Sequence, residues 1–430
     1  MSTVLISGPQ TLRGSVSAPP SKSETIREVV ASVLSKGASR VINPLLSDDT
    51  AATLRCCHAL GARTMVSPDS WRIQSRGTVF SPRAPLNCLE SATTLRFLTA
   101  VGALAPGPVV LTGEKSLLRR PVGVLAASLR QLGVECYTEK GDEYPPVIVM
   151  GGGLEGGETS LRGDESSQYV SALLFASPRA RSAVKVKLST PLESAPYVEM
   201  TLRTLRRRRI RVDPSREMDE YTIPPDQSYQ PTNVKISGDY SSASFLFAGG
   251  VITRSKITVN NLVRDSGQAD EKILQILRQM GVETNIERGA VSIVNVPEAL
   301  SSIEVDIGDC PDLAPVLSVL ACFAEGTSIL RGARRLRIKE SDRLSALESE
   351  LSKLGAEIKA KDDQLVIEGT GRLEGSTIDS HGDHRIAMAS IVAALAADGV
   401  SRVSDAQTIS KSYPNFLQDL GALGAELDVR

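Results

Sequence analysis

Six helix ends recur along the chain at nearly equal intervals. Five of them read Leu-Gly or Met-Gly followed by a short alternating stretch, and a weaker sixth has Arg209 in place of the glycine. They fall at positions 61, 133, 209, 281, 355 and 424, at spacings of 72, 76, 72, 74 and 69 residues. A glycine just past a helix adopts the left-handed conformation that closes it. The chain is therefore predicted to fold as six α/β repeats.

The six repeats are predicted to form two domains of three repeats each. A chain of 430 residues is too long for one hydrophobic core, and the repeat is longer than the usual solenoid period. The predicted first domain is 19–231, and the second combines 1–18 with 232–430. Crossovers are expected near 14–21 and 228–238. Because Arg209 replaces the glycine of the third helix end, we expect that helix to end differently from the others.

The composition indicates an ordinary globular protein. Its net charge of −1 provides no global field for nucleic acid or an anionic membrane, and 4% aromatic residues leave few platforms for base stacking. The six cysteines show no C-x-x-C spacing, which suggests reduced thiols. Neither a signal-peptide pattern nor a run of about 18 apolar residues is present, so a cytoplasmic protein is expected.

Polar clusters precede most of the helical stretches. In "KESDRLSALESEL" Ser341 is predicted to be the N-cap, and in "LLRRPVGVLAASL" Pro121 is predicted at the first helical position. The basic residues expected at these helix starts are Lys22, Arg120, Lys339, Arg343 and Arg385. Cations there are unfavourable by up to about 1 kcal/mol each, unless a bound anion reverses the sign.

The basic helix starts favour a shared electropositive cleft for small, multiply anionic ligands such as phosphates and carboxylates. Asp312 and Glu340 are interleaved with the cations, which is the pattern expected for proton-coupled transfer. Plainer interpretations also exist. His381 and His384 suggest a metal site, but Arg385 beside them disfavours a cation, so no metal is predicted. The run 206–209 is interpreted as a solvated helix face without function.

The chain resembles the 5-enolpyruvylshikimate-3-phosphate (EPSP) synthase family. The resemblance rests on the number and order of its motifs, which are "PPSKSETIR", "ATTLRFL", "RRPVG", "SSQYVSALL", "SAPYVEMT", "GDYSSAS", "CPDLAPVL", "RIKESDR", "GDHRIAM" and "SKSYPNF". It implies two inside-out α/β barrels with helix N-termini facing the interdomain cleft, and a hinge at the crossovers. It also implies transfer of the enolpyruvyl group of phosphoenolpyruvate to the 5-hydroxyl of shikimate 3-phosphate, by addition and elimination. No metal or organic cofactor is implied.

The resemblance assigns roles residue by residue. Phosphoenolpyruvate is expected to contact Lys22, Ala92, Arg120, Gln168, Arg343, Arg385 and Lys411. Shikimate 3-phosphate is expected to contact Lys22, Ser23, Arg27, Ser166, Ser167, Gln168, Ser194, Tyr197, Asp312, Arg335 and Lys339. The expected catalytic residues are Asp312, as base for the 5-hydroxyl, Glu340 and Lys411, as the proton-transfer pair at the methylene carbon, and Lys22.

Three positions depart from the family pattern. The usual Asn-Ser/Ala-Gly-Thr stretch reads Glu90-Ser91-Ala92-Thr93 here, so Ala92 adds a methyl group beside phosphoenolpyruvate. Poor inhibition by glyphosate is the expected result. Glu90 places a carboxylate where an amide is usual, and its partner is not predicted. Arg335 stands where a substrate-contacting Asn is common.

Two other functions remain open at this point. UDP-N-acetylglucosamine enolpyruvyl transferases are similar in fold and reaction, but they commonly carry a reactive Cys on the loop that reads "GEKSLLRRP" here, and the next cysteine downstream is Cys136. A non-catalytic anion-binding repeat protein is the second alternative, motivated by the run 206–209. The low aromatic content and the acid and base candidates argue against it. The expected partners are the two small substrates, without nucleic acid or membrane, and a monomer is expected.

Overall fold

The structure is a computed structural model that describes residues 2–430. The chain divides into two compact domains, a first domain of Ser21–Ile236 and a second domain of Met1–Pro20 with Ser237–Arg430. Each domain has its own core of buried apolar side chains. The predicted crossovers at 14–21 and 228–238 contain the two borders, and their role as a hinge stays a prediction.

The chain begins with two strands of the second domain, β1 (Val4–Gly8) and β2 (Gly14–Ser17). The first domain then provides helices α1 (Lys22–Leu34), α2 (Asp48–Ala59), α3 (Ala92–Gly102), α4 (Gly123–Gln131), α5 (Ser167–Ala176) and α6 (Ala195–Arg207). Its strands are β3 (Lys36–Ile42), β4 (Arg63–Val66), β5 (Ser70–Arg76), β6 (Leu86–Asn87), β7 (Val109–Thr112), β8 (Cys136–Thr138), β9 (Val147–Val149), β10 (Gly157–Leu161), β11 (Val184–Leu188), β12 (Asp213–Pro214), β13 (Glu220–Ile223) and β14 (Asn233–Lys235).

The rest of the second domain follows. Its helices are α7 (Tyr240–Ile252), α8 (Ile273–Gln279), α9 (Ala314–Cys322), α10 (Arg343–Lys353), α11 (His384–Ala396) and α12 (Phe416–Ala422). Its remaining strands are β15 (Ile257–Asn260), β16 (Glu283–Glu287), β17 (Ala290–Asn295), β18 (Leu300–Ser301), β19 (Glu304–Asp306), β20 (Ala324–Arg331), β21 (Glu357–Ala360), β22 (Gln364–Gly369), β23 (Thr377–Ile378), β24 (Gly399–Val403) and β25 (Leu427–Val429).

Six small mixed sheets confirm the predicted six repeats, three in each domain. The sheets of the first domain have the orders β14-β3-β5-β4, β6-β7-β9-β8 and β10-β11-β13-β12. Those of the second are β16-β17-β15-β2, β18-β20-β22-β21 with β19 beside β20, and β23-β24-β1-β25. In the second domain, for example, β23 and β24 are parallel whereas β24, β1 and β25 are antiparallel. Each sheet therefore combines a parallel pair with an antiparallel meander.

One helix of each repeat is buried along nearly its whole length. These helices are α1, α3, α5, α7, α9 and α11, and in α7 and α9 every residue is buried. The other helix of each repeat, such as α10, buries one face and exposes the other. The inner helices read as continuous apolar runs because they lack a solvent face.

Helix α6, which precedes Arg209, ends like the helices that are followed by glycine, so the expectation drawn from Arg209 is wrong. Arg209 itself takes the left-handed conformation, at φ 59°, where Gly355 has φ 88°. Arg209 N donates to Arg206 O at 3.0 Å, as Gly355 N donates to Ser352 O at 3.0 Å. The closing bonds require the left-handed backbone but not a glycine, so another residue satisfies them at a cost of about 1–2 kcal/mol.

Three other local predictions are corrected. Asp342, not Ser341, caps α10, because its carboxylate accepts from Ser345 N at 3.1 Å. Pro121 precedes α4, which begins at Gly123. The run 206–209 is not a uniformly solvated face, since Arg208 is fully buried and its guanidinium donates to Glu28 Oε2 at 2.7 Å. Burial of an arginine requires such a partner.

Among residues 2–430, no helix combines the length and apolar character needed to cross a membrane. All six cysteines are buried free thiols.

Candidate active site

The first-domain cluster begins at the N-terminus of α1. Ser21 caps this helix by accepting from Glu24 N at 3.4 Å, and Lys22 is its first residue. Lys22 Nζ donates to Asp49 Oδ2 at 2.9 Å, from the first turn of α2. The cation at this helix start is therefore neutralised by a carboxylate of the neighbouring helix.

Arg27 joins α1 to α6. Its side chain is 1% exposed and donates to Ser23 O at 3.0 Å, to Thr201 Oγ1 at 2.9 Å and to Tyr197 O at 3.0 Å. Burial lowers the pKa of Arg27 to about 10, while Tyr197 acts in the opposite direction. The structure thus brings together three residues predicted to bind shikimate 3-phosphate, and Arg27 fixes the backbone of the other two. Ser194, in the left-handed conformation at φ 57°, precedes the same helix α6.

Gln168 and Arg96 connect the starts of α3 and α5. Gln168 Nε2 donates to Thr93 Oγ1 at 2.9 Å, and Arg96 Nη1 donates to Gln168 Oε1 at 2.8 Å and to Ser166 Oγ at 3.2 Å. Ser166 caps α5, of which Ser167 is the first residue. Ala92, the first residue of α3, is buried. These bonds hold the amide of Gln168 in a fixed orientation beside both helix starts.

The loop that carries Arg120 is held from both sides. Pro121 O accepts from Arg96 Nη2 at 2.9 Å and from Tyr169 OH at 2.7 Å. On the other side, Ser116 Oγ donates to Glu90 Oε2 at 2.6 Å. Glu90, whose partner the sequence did not indicate, therefore ties the segment before α3 to the segment before α4.

The second-domain cluster is organised around Asp383, the buried N-cap of α11. Its carboxylate accepts from Arg343 Nε at 2.8 Å and Nη2 at 3.2 Å, from Ser341 Oγ at 3.2 Å and from Arg385 N at 2.9 Å. Arg343 is the first residue of α10 and is also buried. Asp383 thereby joins the starts of two helices through charge-assisted hydrogen bonds.

Asp312 lies between the cations of this cluster. Arg343 Nη1 is 3.0 Å from its Oδ1, Arg385 Nη2 is 3.0 Å from its Oδ2, and Lys339 Nζ is 3.9 Å from Oδ1. Burial by itself would raise the pKa of Asp312, but the three cations outweigh it and hold the pKa well below its ordinary value. The three cations therefore favour the ionised form of Asp312.

The other predicted residues of this cluster surround the same place. Glu340 Oε2 accepts from Arg343 Nη2 at 2.7 Å, and Lys411 Nζ donates to Gly382 O at 3.1 Å. Burial lowers the pKa of Lys339 to about 8, despite the attraction of Asp312. Arg335 Nη2 donates to Gly308 O at 2.5 Å, so it is an anchor for the loop before Asp312.

The basic residues predicted at helix starts, together with Lys411, lie either in the first turn of an α-helix or at the end of a short 3-10 helix. Lys22, Arg343 and Arg385 lie in the first turn of a helix, as predicted. Arg120 and Lys339 do not, because each directly follows a short 3-10 helix, and Lys411 ends a third one. The prediction of helix starts is wrong for Arg120 and Lys339. The 3-10 turns connect a strand to the next helix, a detail that helical periodicity does not reveal.

Asp49, Arg96 and Asp383 were missed as site residues by sequence reasoning. Arg96 interrupts the apolar stretch of α3, and that charge was an available signal for a buried role. Asp383 lies between the two histidines that suggested a metal site. His381 Nε2 instead contacts Glu350 Oε1 at 2.9 Å. The described residues contain no group of three or more His, Cys, Asp or Glu side chains arranged for a metal ion.

Comparison with known proteins identifies the family. The model of the family EPSP synthase (3-phosphoshikimate 1-carboxyvinyltransferase) matches residues 6–420. The chain is 42% identical to the 3-phosphoshikimate 1-carboxyvinyltransferase of Methanocella arvoryzae, covering 97% of each chain. It is 36% identical to the enzyme of that name from Methanococcus maripaludis, covering 97% of this chain and 98% of the relative.

The fold agrees with this result. The structure resembles that of EPSP synthase from Acinetobacter baumannii with a TM-score of 0.85 at 26% identity, over 100% of this chain and 99% of that one. Sequence and fold lead to the same conclusion: the chain belongs to the EPSP synthase family, whose fold is a pair of inside-out α/β barrels.

Proposed function

We propose that the two clusters supply the groups with which this chain transfers the enolpyruvyl group of phosphoenolpyruvate to the 5-hydroxyl of shikimate 3-phosphate, releasing phosphate. The observation that carries the proposal is the position of Asp312, whose carboxylate lies 3.0 Å from both Arg343 and Arg385. Glu340 accepts a hydrogen bond from Arg343 as well. Acid and base groups beside anion-binding cations are what the reaction requires.

The first-domain cluster supplies most of the contacts to shikimate 3-phosphate. Hydroxyl groups at helix starts, beside unpaired backbone N–H groups, suit a phosphate ester. The residues proposed for this role are Lys22, Ser23, Arg27, Ser166, Ser167, Gln168, Ser194 and Tyr197. Arg27 acts through Ser23 and Tyr197, because its own nitrogens already donate to protein oxygens. Asp312, Arg335 and Lys339 of the second domain complete the set.

The arginines are proposed to bind phosphoenolpyruvate. The residues are Arg120, Arg343 and Arg385, joined by Lys22, Ala92, Gln168 and Lys411. Planar guanidinium groups match the bidentate geometry of phosphate and carboxylate, which fixes the reacting carbon relative to the hydroxyl. Arg343 and Arg385 both donate to Asp312. Part of that attraction passes to the substrate when it binds.

Asp312 is proposed to act as the base for the 5-hydroxyl. Its pKa lies far below the ordinary range while three cations face it. Substrate anions that share those cations raise this pKa and make the carboxylate a stronger base. In the addition step the hydroxyl oxygen bonds to C2 of phosphoenolpyruvate and the methylene carbon C3 gains a proton. Glu340 and Lys411 are proposed to exchange that proton, which leaves C3 again as phosphate departs.

The test measures phosphate released from phosphoenolpyruvate in the presence of shikimate 3-phosphate. Asp312→Asn and Glu340→Gln are expected to lower kcat by about 10²–10⁴-fold, the usual contribution of a general acid or base. Asp69→Asn, at an exposed aspartate of the first domain, serves as the matched control and should retain the wild-type rate. Wild-type protein that releases phosphate only with UDP-N-acetylglucosamine would overturn the assignment.

We further propose that the chain acts as a monomer in the cytoplasm, without nucleic acid, membrane or cofactor. The free buried thiols agree with a reducing compartment. Light scattering of the active protein should then give a mass near 45.8 kDa.

A further inference from the structure

The loop of residues 379–383 carries part of the second-domain cluster. It connects β23 to α11 and ends at Asp383, which holds Arg343. The preceding residue, Gly382, provides the carbonyl oxygen that accepts from Lys411 Nζ at 3.1 Å. The position of this loop therefore sets the positions of two residues assigned to the reaction.

The other end of the loop is attached to Glu350 of α10. Glu350 is 2% exposed, and its Oε2 accepts from Asp379 N at 2.8 Å while its Oε1 accepts from His381 Nε2 at 2.9 Å. Lys353 Nζ donates to both oxygens, at 2.8 and 2.7 Å, and Ser349 Oγ to Oε1 at 3.0 Å. A buried carboxylate with this many donors only accepts, so His381 donates through Nε2. Burial alone would raise the pKa of Glu350, but these hydrogen bonds outweigh it and lower the pKa.

Helix α10 thus contacts the loop at two points, through Arg343 at Asp383 and through Glu350 at Asp379 and His381. Arg343 and Glu350 are seven residues apart, about two helical turns, so they lie on the same face of α10. Between the two points the backbone is unusual, because His381 and Gly382 are both left-handed, at φ 53° and 66°. A histidine in that conformation costs about 1–2 kcal/mol and persists only where other contacts hold it. Two contacts hold it there: its backbone N donates to Asp379 Oδ1 at 2.8 Å, and its imidazole donates to Glu350 Oε1 at 2.9 Å.

We propose that His381 and Glu350 form a latch that positions Asp383 and the Gly382 carbonyl, and hence Arg343 and Lys411, for enolpyruvyl transfer. His381 is a positioning residue, because it acts through the loop and not on the substrates. The proposal rests on the proposed function of the two clusters. It assigns a role to a histidine that neither the family motif nor the metal hypothesis explained.

The test compares two side chains of similar shape that differ in the donor. His381→Gln can still donate to Glu350 Oε1, whereas His381→Met fills the same space without a donor. Loss of one positioning hydrogen bond should lower kcat about tenfold in His381→Met, with less than a twofold change in the KM of shikimate 3-phosphate. His381→Gln should recover at least half of the wild-type kcat. His58→Ala, at the exposed histidine of the first domain, is the control and should match the wild type.

Thermal unfolding of each variant shows whether it is folded, and both replacements preserve volume at a partly exposed position. Equal kcat values for the Met and Gln variants, whether high or low, would overturn the latch, since a purely structural role does not distinguish a donor from a thioether. Wild-type protein that releases no phosphate would instead refute the proposed function. That result differs from equal kcat values of the two His381 variants, so the two failures can be told apart. The nitrogen resonance of His381 Nε2 should also differ between the folded wild type and folded Glu350→Gln, and identical resonances would contradict the latch.

Discussion

Lys339 is a residue of the candidate site whose charge changes with pH near 8. Burial lowers its pKa to about 8, against the attraction of Asp312 and Glu340 and together with repulsion from Arg343 and Arg335. Raising the pH through about 8 therefore removes a positive charge from the free protein. Because the anionic substrate favours the protonated lysine, log(kcat/KM) for shikimate 3-phosphate should fall about one unit per pH unit above that value. A profile from about pH 6 to about pH 10 measures it.

Lys339→Arg provides the comparison for this pH dependence. Arginine stays charged throughout that range, so the decrease near pH 8 should disappear even if the overall rate is lower. A decrease that persists unchanged in the arginine variant would show that another group titrates.

Ala92 is expected to set the response to glyphosate. It is buried at the first position of α3, where its methyl group narrows the wall beside phosphoenolpyruvate in the proposed site. Glyphosate needs slightly more room than the substrate, so wild-type protein should be inhibited poorly and Ala92→Gly at least tenfold more strongly. Inhibition constants measured near the KM of phosphoenolpyruvate give the comparison. A low-micromolar constant for the wild type would contradict the expectation.

At the scale of elements, a buried ion pair connects α1 to α6. Arg208 is fully buried and donates to Glu28 Oε2, Ser32 Oγ and Ser39 Oγ, at 2.7, 3.1 and 3.0 Å. Arg208→Ala removes the buried partner of Glu28 Oε2 and leaves Arg207 Nη1 and Thr204 Oγ1 donating to Oε1, both at 3.1 Å. It should therefore lower the free energy of unfolding by about 3 kcal/mol, the lower end of the range for a broken buried ion pair. Arg206→Ala, in the exposed part of the same run, should change it by less than about 0.5 kcal/mol. Urea unfolding measures the free energy of unfolding of both variants. Equal decreases would contradict a stabilising role of the Arg208–Glu28 ion pair.

The six helix ends allow a second comparison between elements. Arg209→Gly should raise the free energy of unfolding by about 1 kcal/mol, because glycine adopts φ 59° without the penalty of a side chain. At the equivalent end, Gly355→Ala should lower it by about 1 kcal/mol, since its φ is 88° and no atom lies within 4 Å of the added carbon. Denaturant unfolding measures both. Effects of the same sign would show that the two ends are not equivalent.

At the scale of the whole molecule, each domain has a complete core of its own. One buried apolar cluster includes Trp71, Phe97 and Tyr229, and the other includes Phe245, Tyr413 and Phe416. Separate cores make separate cooperative units. Calorimetry should therefore give a measured unfolding enthalpy larger than the van 't Hoff enthalpy. A ratio of one would show a single transition and contradict this expectation.

Much of the fold could be predicted because local signals repeat. The glycine at five of the six helix ends acts through nearby backbone alone, so six repeats followed from the spacing of these ends. Two domains followed from the length of the chain. The same local logic failed at Arg209, where the backbone adopts the left-handed form without glycine. It failed also at Lys339, since the 3-10 turn before it leaves no periodic apolar pattern.

The candidate site was predictable as a set of residue types but not as a set of contacts. The spacing of basic and acidic residues in "RIKESDR" indicated an anion site with an acid beside it. The sequence by itself determined the repeats, the helix ends and the chemical groups available to the reaction, because these depend on neighbours along the chain. Only the tertiary structure decided that Asp383 holds Arg343, that Arg208 is buried against Glu28 and that His381 reaches Glu350. Those partners lie on different elements, and packing alone brings their charges within hydrogen-bonding distance.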